Sequence, residues 1–267
     1  MGLFDKKYCD ICGEKIRFLG NRKLEDGNLC KDCAEKLSPW FSDRRKSTVE
    51  DIKAQLRYRE ENRAVVRSFQ PDIELGEYGR IAIDTGKGQL AVLRPGESLS
   101  GNPDIVSLRQ VRGCHWDVSE SRREEKQKDA EGKLVSYDPP RHTYSYVFTL
   151  TVDVDARWFD DMQIRLNRQS VDIETGKPLE LGGILSKAKV YSPQEPHPEK
   201  NADYMACQAL AEAMKMAILS PETQKAPTQE MPSMPEKQPE KVACPFCKAK
   251  AVPNPDGTCV YCGAKIL

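Results

Sequence analysis

The sequence predicts an α+β protein: a β-rich central domain with flanking helices, set between two small cysteine-rich modules. Three observations predict it. From Ile73 to about Asn167 the apolar residues recur with period two, the mark of half-buried strands. Helical periodicity flanks that region on both sides, after Ser47 and again after Asn201. Two Cys-x-x-Cys pairs stand near each end, Cys9/Cys12 with Cys30/Cys33 and Cys244/Cys247 with Cys259/Cys262.

The cysteine pairs set the chemistry. Seventeen residues separate the first two pairs and eleven the last two. A Cys-x-x-Cys knuckle delivers two thiolates from one tight turn, so two knuckles complete a tetrahedral shell and leave no position for water. Such a site is structural. The two modules echo one another: Cys9 and Cys259 each open C-x-x-C-G-x-K-I, and an Asp-Gly pair (Asp26-Gly27, Asp256-Gly257) precedes the second knuckle of each. Neither module is large enough to fold on its apolar residues, whereas a structural Zn²⁺ contributes roughly 10–16 kcal/mol. The expected cofactor is therefore Zn²⁺, two per chain, on Cys9, Cys12, Cys30, Cys33 and on Cys244, Cys247, Cys259, Cys262. A rubredoxin-like iron site uses the same C-x-x-C-G knuckles, so electron transfer stays open as a minor alternative.

Composition narrows the class. Lys plus Arg and Asp plus Glu number 41 each, so no global field recruits nucleic acid or an anionic membrane, and any such binding must be local. Eight of the ten cysteines are paired at metal spacing and no apolar run follows a basic N-terminus, which argues for a reducing, cytoplasmic setting without a transmembrane segment.

The elements follow in order. The first zinc ribbon spans 1–39, where Ser38 is placed to cap a short helical turn begun by Pro39, and Trp40 and Phe41 need a surface to cover them. A connecting helix lies within 40–71, opened by a Ser47/Glu50 capping box and closed before Pro71. Val49, Ile52 and Leu56 form its first apolar stripe, Val66 and Phe69 its second, and Arg59, Arg63 and Arg67 read as a solvated ridge. The β-rich domain spans 72–219. Ile81 and Ile83, a Thr85-Gly88 turn, then Leu90 and Val92 signal a hairpin. Cys114, Trp116 and Val118 share a face, as do Tyr144, Tyr146, Phe148, Leu150, Val152 and Val154. The charged run from Ser121 to about Arg141 reads as a long solvated hairpin loop, and 168–199 as irregular with room for one extra hairpin. Asn201 caps a closing helix with Cys207, Leu210, Ala211, Met214 and Ile218 on one stripe. Five prolines make 220–241 a flexible linker, and 242–267 is the second ribbon.

Other candidate sites read as structural. Cys114 and Cys207 fall on apolar stripes, where a thiol behaves as a small hydrophobe. His115, His142 and His197 are scattered, with no nucleophile beside them. Asp153, Asp155, Asp160 and Asp161 belong to turn chemistry, and Gly86-x-Gly88 lacks the rest of a phosphate loop. No catalytic constellation emerges, so the expectation is a protein that is not an enzyme.

The CxxCGxK knuckle, the LEDGNLCKDCAEKLSPWF run and the STVEDIKAQLRYREEN helix resemble a bacterial protein family of unknown function whose N-terminal domain is described as a zinc ribbon. The resemblance covers about the first seventy residues. It implies metal binding at Cys9, Cys12, Cys30 and Cys33 and implies no activity. Beyond it, the order of strands, a long hairpin and one closing helix resembles bacterial pleckstrin-homology-like domains. The whole reads as a zinc-binding intracellular adaptor whose ribbons present surfaces to a protein partner. Nucleic-acid binding through the ribbons is the alternative, favoured by Lys241, Lys248, Lys250 and Lys265 with Phe246 and Tyr261. Lipid binding by the β domain stays open.

Overall fold

The computed structural model describes residues 7–17, 19–179 and 190–220, with 242–243, 245–246, 250–251, 254, 257–259 and 262–266. Cys244, Cys247, Tyr261, Lys241, Lys248 and all but the first residue of the expected linker lie outside the described residues.

An N-terminal module comes first, with the hairpin β1 (Arg22–Lys23) and β2 (Asn28–Leu29) and one helical turn, α1 (Lys31–Ala34). The helix α2 (Val49–Ser68) follows. Its N-cap is Thr48, one residue beyond the Ser47 that the sequence suggested. Thr48 Oγ1 accepts from Asp51 N, and the Asp51 carboxylate accepts in return from Thr48 N, closing a capping box. Asp does this work as well as Glu, and Ser47 Oγ is occupied by donation to the Asp43 carbonyl of a preceding 3₁₀ turn.

Two four-stranded antiparallel sheets make the central domain. The first runs in the order β3 (Ile73–Leu75), β4 (Arg80–Asp84), β5 (Gln89–Leu93), β6 (Ile105–Ser107). In the second, β7 (Val111–Lys128) lies along one edge of β8 (Leu134–Val154), and β9 (Asp161–Arg165) and β10 (Val171–Thr175) share the other. Ile81, Ile83, Leu90 and Val92 pack with Tyr144, Tyr146, Phe148, Leu150 and Val152 in one core. The closing helix α3 (Ala202–Leu219), capped by Asn201 as expected, adds Ala211, Met214 and Ile218 to it. Gly79 allows the two sheets to meet, since a Cβ there would stand 2.3 Å from the Arg165 carbonyl oxygen.

The first sheet is buried on both faces. Ala82, Ala91 and Ile105 face away from the main core and lie side by side in register, with Val65 and Phe69 of α2 packed on them. The small alanines let the helix approach. The other end of α2 packs through Val49, Ile52 and Leu56 on the N-terminal module. Trp40 joins the main core, and its neighbour Phe41 joins the module and meets Trp158 edge-on at 6.0 Å.

Two sequence expectations are corrected here. The charged run after Ser121 is not a loop. It continues β7 against β8, with Arg122 opposite Tyr144, Glu124 opposite His142 and Lys128 opposite Leu134. Alternating charges are compatible with a strand that has water on both faces once the ladder below has fixed its partner, and Asp129 closes the tip by accepting from Glu131 N and Lys133 N. The segment after Arg168 is not all irregular either: β10 pairs with β8, Val171 opposite Tyr146; the stretches around 177–179 and 190–192 then hydrogen-bond to one another, in the region where the sequence left room for one extra hairpin. No described helix is long and apolar enough to cross a membrane.

Candidate metal centre

Each knuckle of the first module is built by its backbone. At the first, Gly13 N donates to the Cys9 carbonyl and Cys9 N donates to the Glu14 carbonyl, with Gly13 at φ +75°. That left-handed turn is open to glycine without steric cost, which is why C-x-x-C-G rather than C-x-x-C alone marks the site. At the second, Cys30 is the N-cap of α1 and its sulfur accepts from Cys33 N at 3.3 Å. The Cys30 N–H in turn points at Cys9 Sγ, 3.3 Å away, and ties the knuckles together.

The four sulfurs of Cys9, Cys12, Cys30 and Cys33 all lie within 4.8 Å of one another. A tetrahedron with thiolates about 2.3 Å from its centre has edges of about 3.8 Å. Cys12 Sγ and Cys30 Sγ are 3.7 Å apart. The donor set, all soft sulfur, suits Zn²⁺ or iron, and the sulfurs stand close to the spacing such an ion requires. Cys9 and Cys33 are 2% and 3% exposed, Cys30 9%, while Cys12 is open to solvent. Burial pulls the Cys9 thiol up, but N–H groups of Cys12, Cys30 and Ile11 outweigh it and bring it down to about 7. Burial pushes the Cys30 and Cys33 thiols above their ordinary range. Metal entry therefore displaces protons, and acid opposes it.

The Asp26-Gly27 turn locks the module to α2. Asp26 Oδ1 accepts from Val49 N at 2.8 Å, a second cap for the helix, and Glu25 N donates to the Ser47 carbonyl. A Cβ on Gly27 would lie 2.6 Å from Val49 Cγ2 and 2.8 Å from Asp10 Oδ2. Asp26→Ala is expected to lower stability by about 1 kcal/mol, read from the urea midpoint of the whole chain, while Asp26→Asn, which keeps an acceptor, retains most of it.

The terminal module repeats the first knuckle bond for bond. Cys259 N donates to the Ala264 carbonyl, Gly263 N to the Cys259 carbonyl and Ile266 N to the Gly257 carbonyl, matching Cys9 to Glu14, Gly13 to Cys9 and Ile16 to Lys7. Tyr8 pairs with Lys15 and Thr258 with Lys265, one residue before and six after the first cysteine. The short strands β11 (Val242–Ala243) and β12 (Lys250–Ala251) pair Ala243 with Lys250, the same offsets from Cys244. Cys259 is buried and Cys262 exposed, as are Cys9 and Cys12 in the first module.

Elsewhere the sequence readings divide. Cys114 is buried on the core face, where burial pushes its thiol up to about 12, and Cys207 is half-buried on α3. Neither joins the cysteine tetrad. His115 stands between Asp117 and Asp153 on an exposed face, and Asp155 pairs with Arg112. Arg63 is exposed beside Glu60, as a solvated ridge requires, but Arg59 is not solvated. It forms a buried ion pair with Asp104, Nη1 to Oδ1 at 2.8 Å. Asp104 also accepts from Tyr58 OH at 2.9 Å and from Ser38 Oγ at 2.8 Å, so Ser38, whose Oγ accepts from Trp40 N at 3.2 Å and caps the expected turn, also bonds across to the loop before β6. Asn62 completes the network, donating to the Pro103 carbonyl and accepting from Ile105 N. No sequence pattern marks Asp104, which precedes β6 in a plain Asn-Pro-Asp turn.

No curated protein and no solved structure matches the chain, so the pleckstrin-homology-like resemblance gains no structural counterpart. Residues 7–55, which carry the four clustered thiols and the first two turns of α2, match the family model of a domain of unknown function, DUF4428.

Proposed function

We propose that the chain is a zinc-binding, non-enzymatic adaptor of the cytoplasm, with two structural zinc ribbons and a pleckstrin-homology-like domain between them. The observation that carries this is the four-sulfur cluster, whose spacing is that of a closed tetrahedral thiolate shell. The knuckle bonds repeated around Cys259, and the Ala243–Lys250 pairing around the Cys244 pair, support a second site of the same kind. Two antiparallel sheets followed by α3 support the pleckstrin-homology-like reading. A closed shell leaves no position for a substrate, so the metal serves architecture, and the ribbons offer loops to a protein partner. The Pro-rich stretch makes the second ribbon a tethered contact, raising its effective concentration once the rest is engaged.

Protein purified without added metal is expected to hold two zinc ions per chain by elemental analysis, and Cys259→Ser one. A red, iron-containing preparation overturns the zinc assignment, and one metal in the unaltered chain removes the terminal site. The nucleic-acid reading draws on Phe246, which is 70% exposed, and on the lysines of the terminal sequence. A steep fall of partner affinity with salt would favour it over a protein contact.

A further inference from the structure

The ribbon carries a second feature, unconnected with the metal. Where the 3₁₀ turn Asp43–Lys46 folds back against β1, it leaves a half-open cleft of about 650 Å³ lined by Asn21, Arg22, Lys23, Leu24, Glu25, Arg44 and Arg45. Four cationic side chains line it against one carboxylate. None of the four forms an ion pair among the described residues, although Lys46 on the same turn pairs with Asp43 and Lys31 with Glu35. Arg44 Nε and Asn21 Oδ1 are buried without a hydrogen-bond partner. Burial, and then the nearby charges of Arg22 and Arg45, lower the proton affinity of Arg44. Like charges gathered at a concave surface with a donor left unsatisfied are costly unless an anion joins them.

We propose that this cleft binds a multiply charged phosphate anion. Arginine's planar fork matches phosphate oxygens two at a time, and three arginines with a lysine offset more charge than a single carboxylate brings. Among the described residues no aromatic side chain lines the cleft, and Leu24 is itself buried, so the lining offers no platform for base stacking and the phosphates are the recognised groups. A free oligophosphate and a phosphorylated lipid headgroup share this chemistry.

The test is calorimetric titration of the full, zinc-loaded chain with inorganic triphosphate. In parallel, flotation is run with phosphatidylcholine vesicles carrying a phosphatidylinositol bisphosphate. Zinc content is measured afterwards, since phosphates chelate metal. Saturable binding is expected in at least one arm, and the arm names the source. Arg22→Gln with Arg44→Gln should weaken it by tenfold or more, about what one lost charge-assisted contact is worth. Arg45→Gln, at an exposed position where folding is safe, should weaken it severalfold, and Lys46→Gln should not. No binding in either arm overturns the proposal, as does binding that survives the arginine substitutions. Tighter capture of a polyglutamate peptide or of a DNA oligonucleotide than of triphosphate also overturns it, by making the cleft part of a macromolecular surface.

Discussion

Replacing Asp104 by Ala is expected to destabilise the protein by about 3–5 kcal/mol, the usual cost of removing one partner of a buried ion pair. The carboxylate is fully buried and takes three donors from two parts of the chain: Ser38 at the exit of the ribbon, and Tyr58 and Arg59 on α2. Truncation leaves the Arg59 guanidinium, largely enclosed, without a counter-charge, and Tyr58 OH without an acceptor. Asp104→Asn should cost less, since it keeps acceptor capacity. Pairing Asp104→Leu with Arg59→Met should recover much of the loss, because both charges leave together. Urea unfolding of the four proteins measures this. A loss below about 1 kcal/mol for Asp104→Ala would place the pair with solvated surface bridges and show that apolar packing alone joins helix to sheet.

The sequence was legible where periodicity and motif act locally. The Cys9, Cys12, Cys30 and Cys33 tetrad, the cap at Asn201 and the apolar faces through Ile81, Leu90 and Phe148 follow from spacing, and the structure places them so. The Asp104 network was not legible, because it joins residues 38, 58, 59 and 104, and nothing local distinguishes a buried arginine from the exposed Arg63 one turn along. The outer half of the β7–β8 hairpin was misread for the opposite reason. Its composition is that of a loop, and its strand geometry comes from a ladder set by Trp116, Leu150 and their neighbours lower down. The buried alanines of β4 and β5 were likewise silent, since Ala82 and Ala91 are explained only by the helix that crosses them.

Cys30→Ser and Cys259→Ser, chemically the same change at matching tetrads, are expected to differ sharply. Cys30 is a prospective ligand; Ser keeps the cap of α1 and the backbone N–H to Cys9 Sγ, but the lost thiolate opens the first site. The module holds its own apolar cluster of Ile16, Leu24, Leu29 and Leu37, and Ile52 of α2 is buried in that cluster. Without metal the cluster is too small to stay folded, Ile52 and Phe41 lose their cover, and α2 loses its second cap, Asp26. Ser38 and Trp40 then pull away from Asp104 and the main core, so damage passes into the sheet. A fall of about 10 °C in the main thermal transition follows if several kcal/mol are lost from a domain of this size. Cys259 lies beyond the Pro-rich stretch, in a module whose backbone bonds, among the described residues, run within 242–266, so its loss should unfold that module and leave the main transition within about 2 °C. Chelator added to the wild-type chain should reproduce the Cys30→Ser melt. Equal shifts for the two substitutions would mean that the terminal module is docked on the domain, and the picture of one anchored and one tethered ribbon would have to be given up.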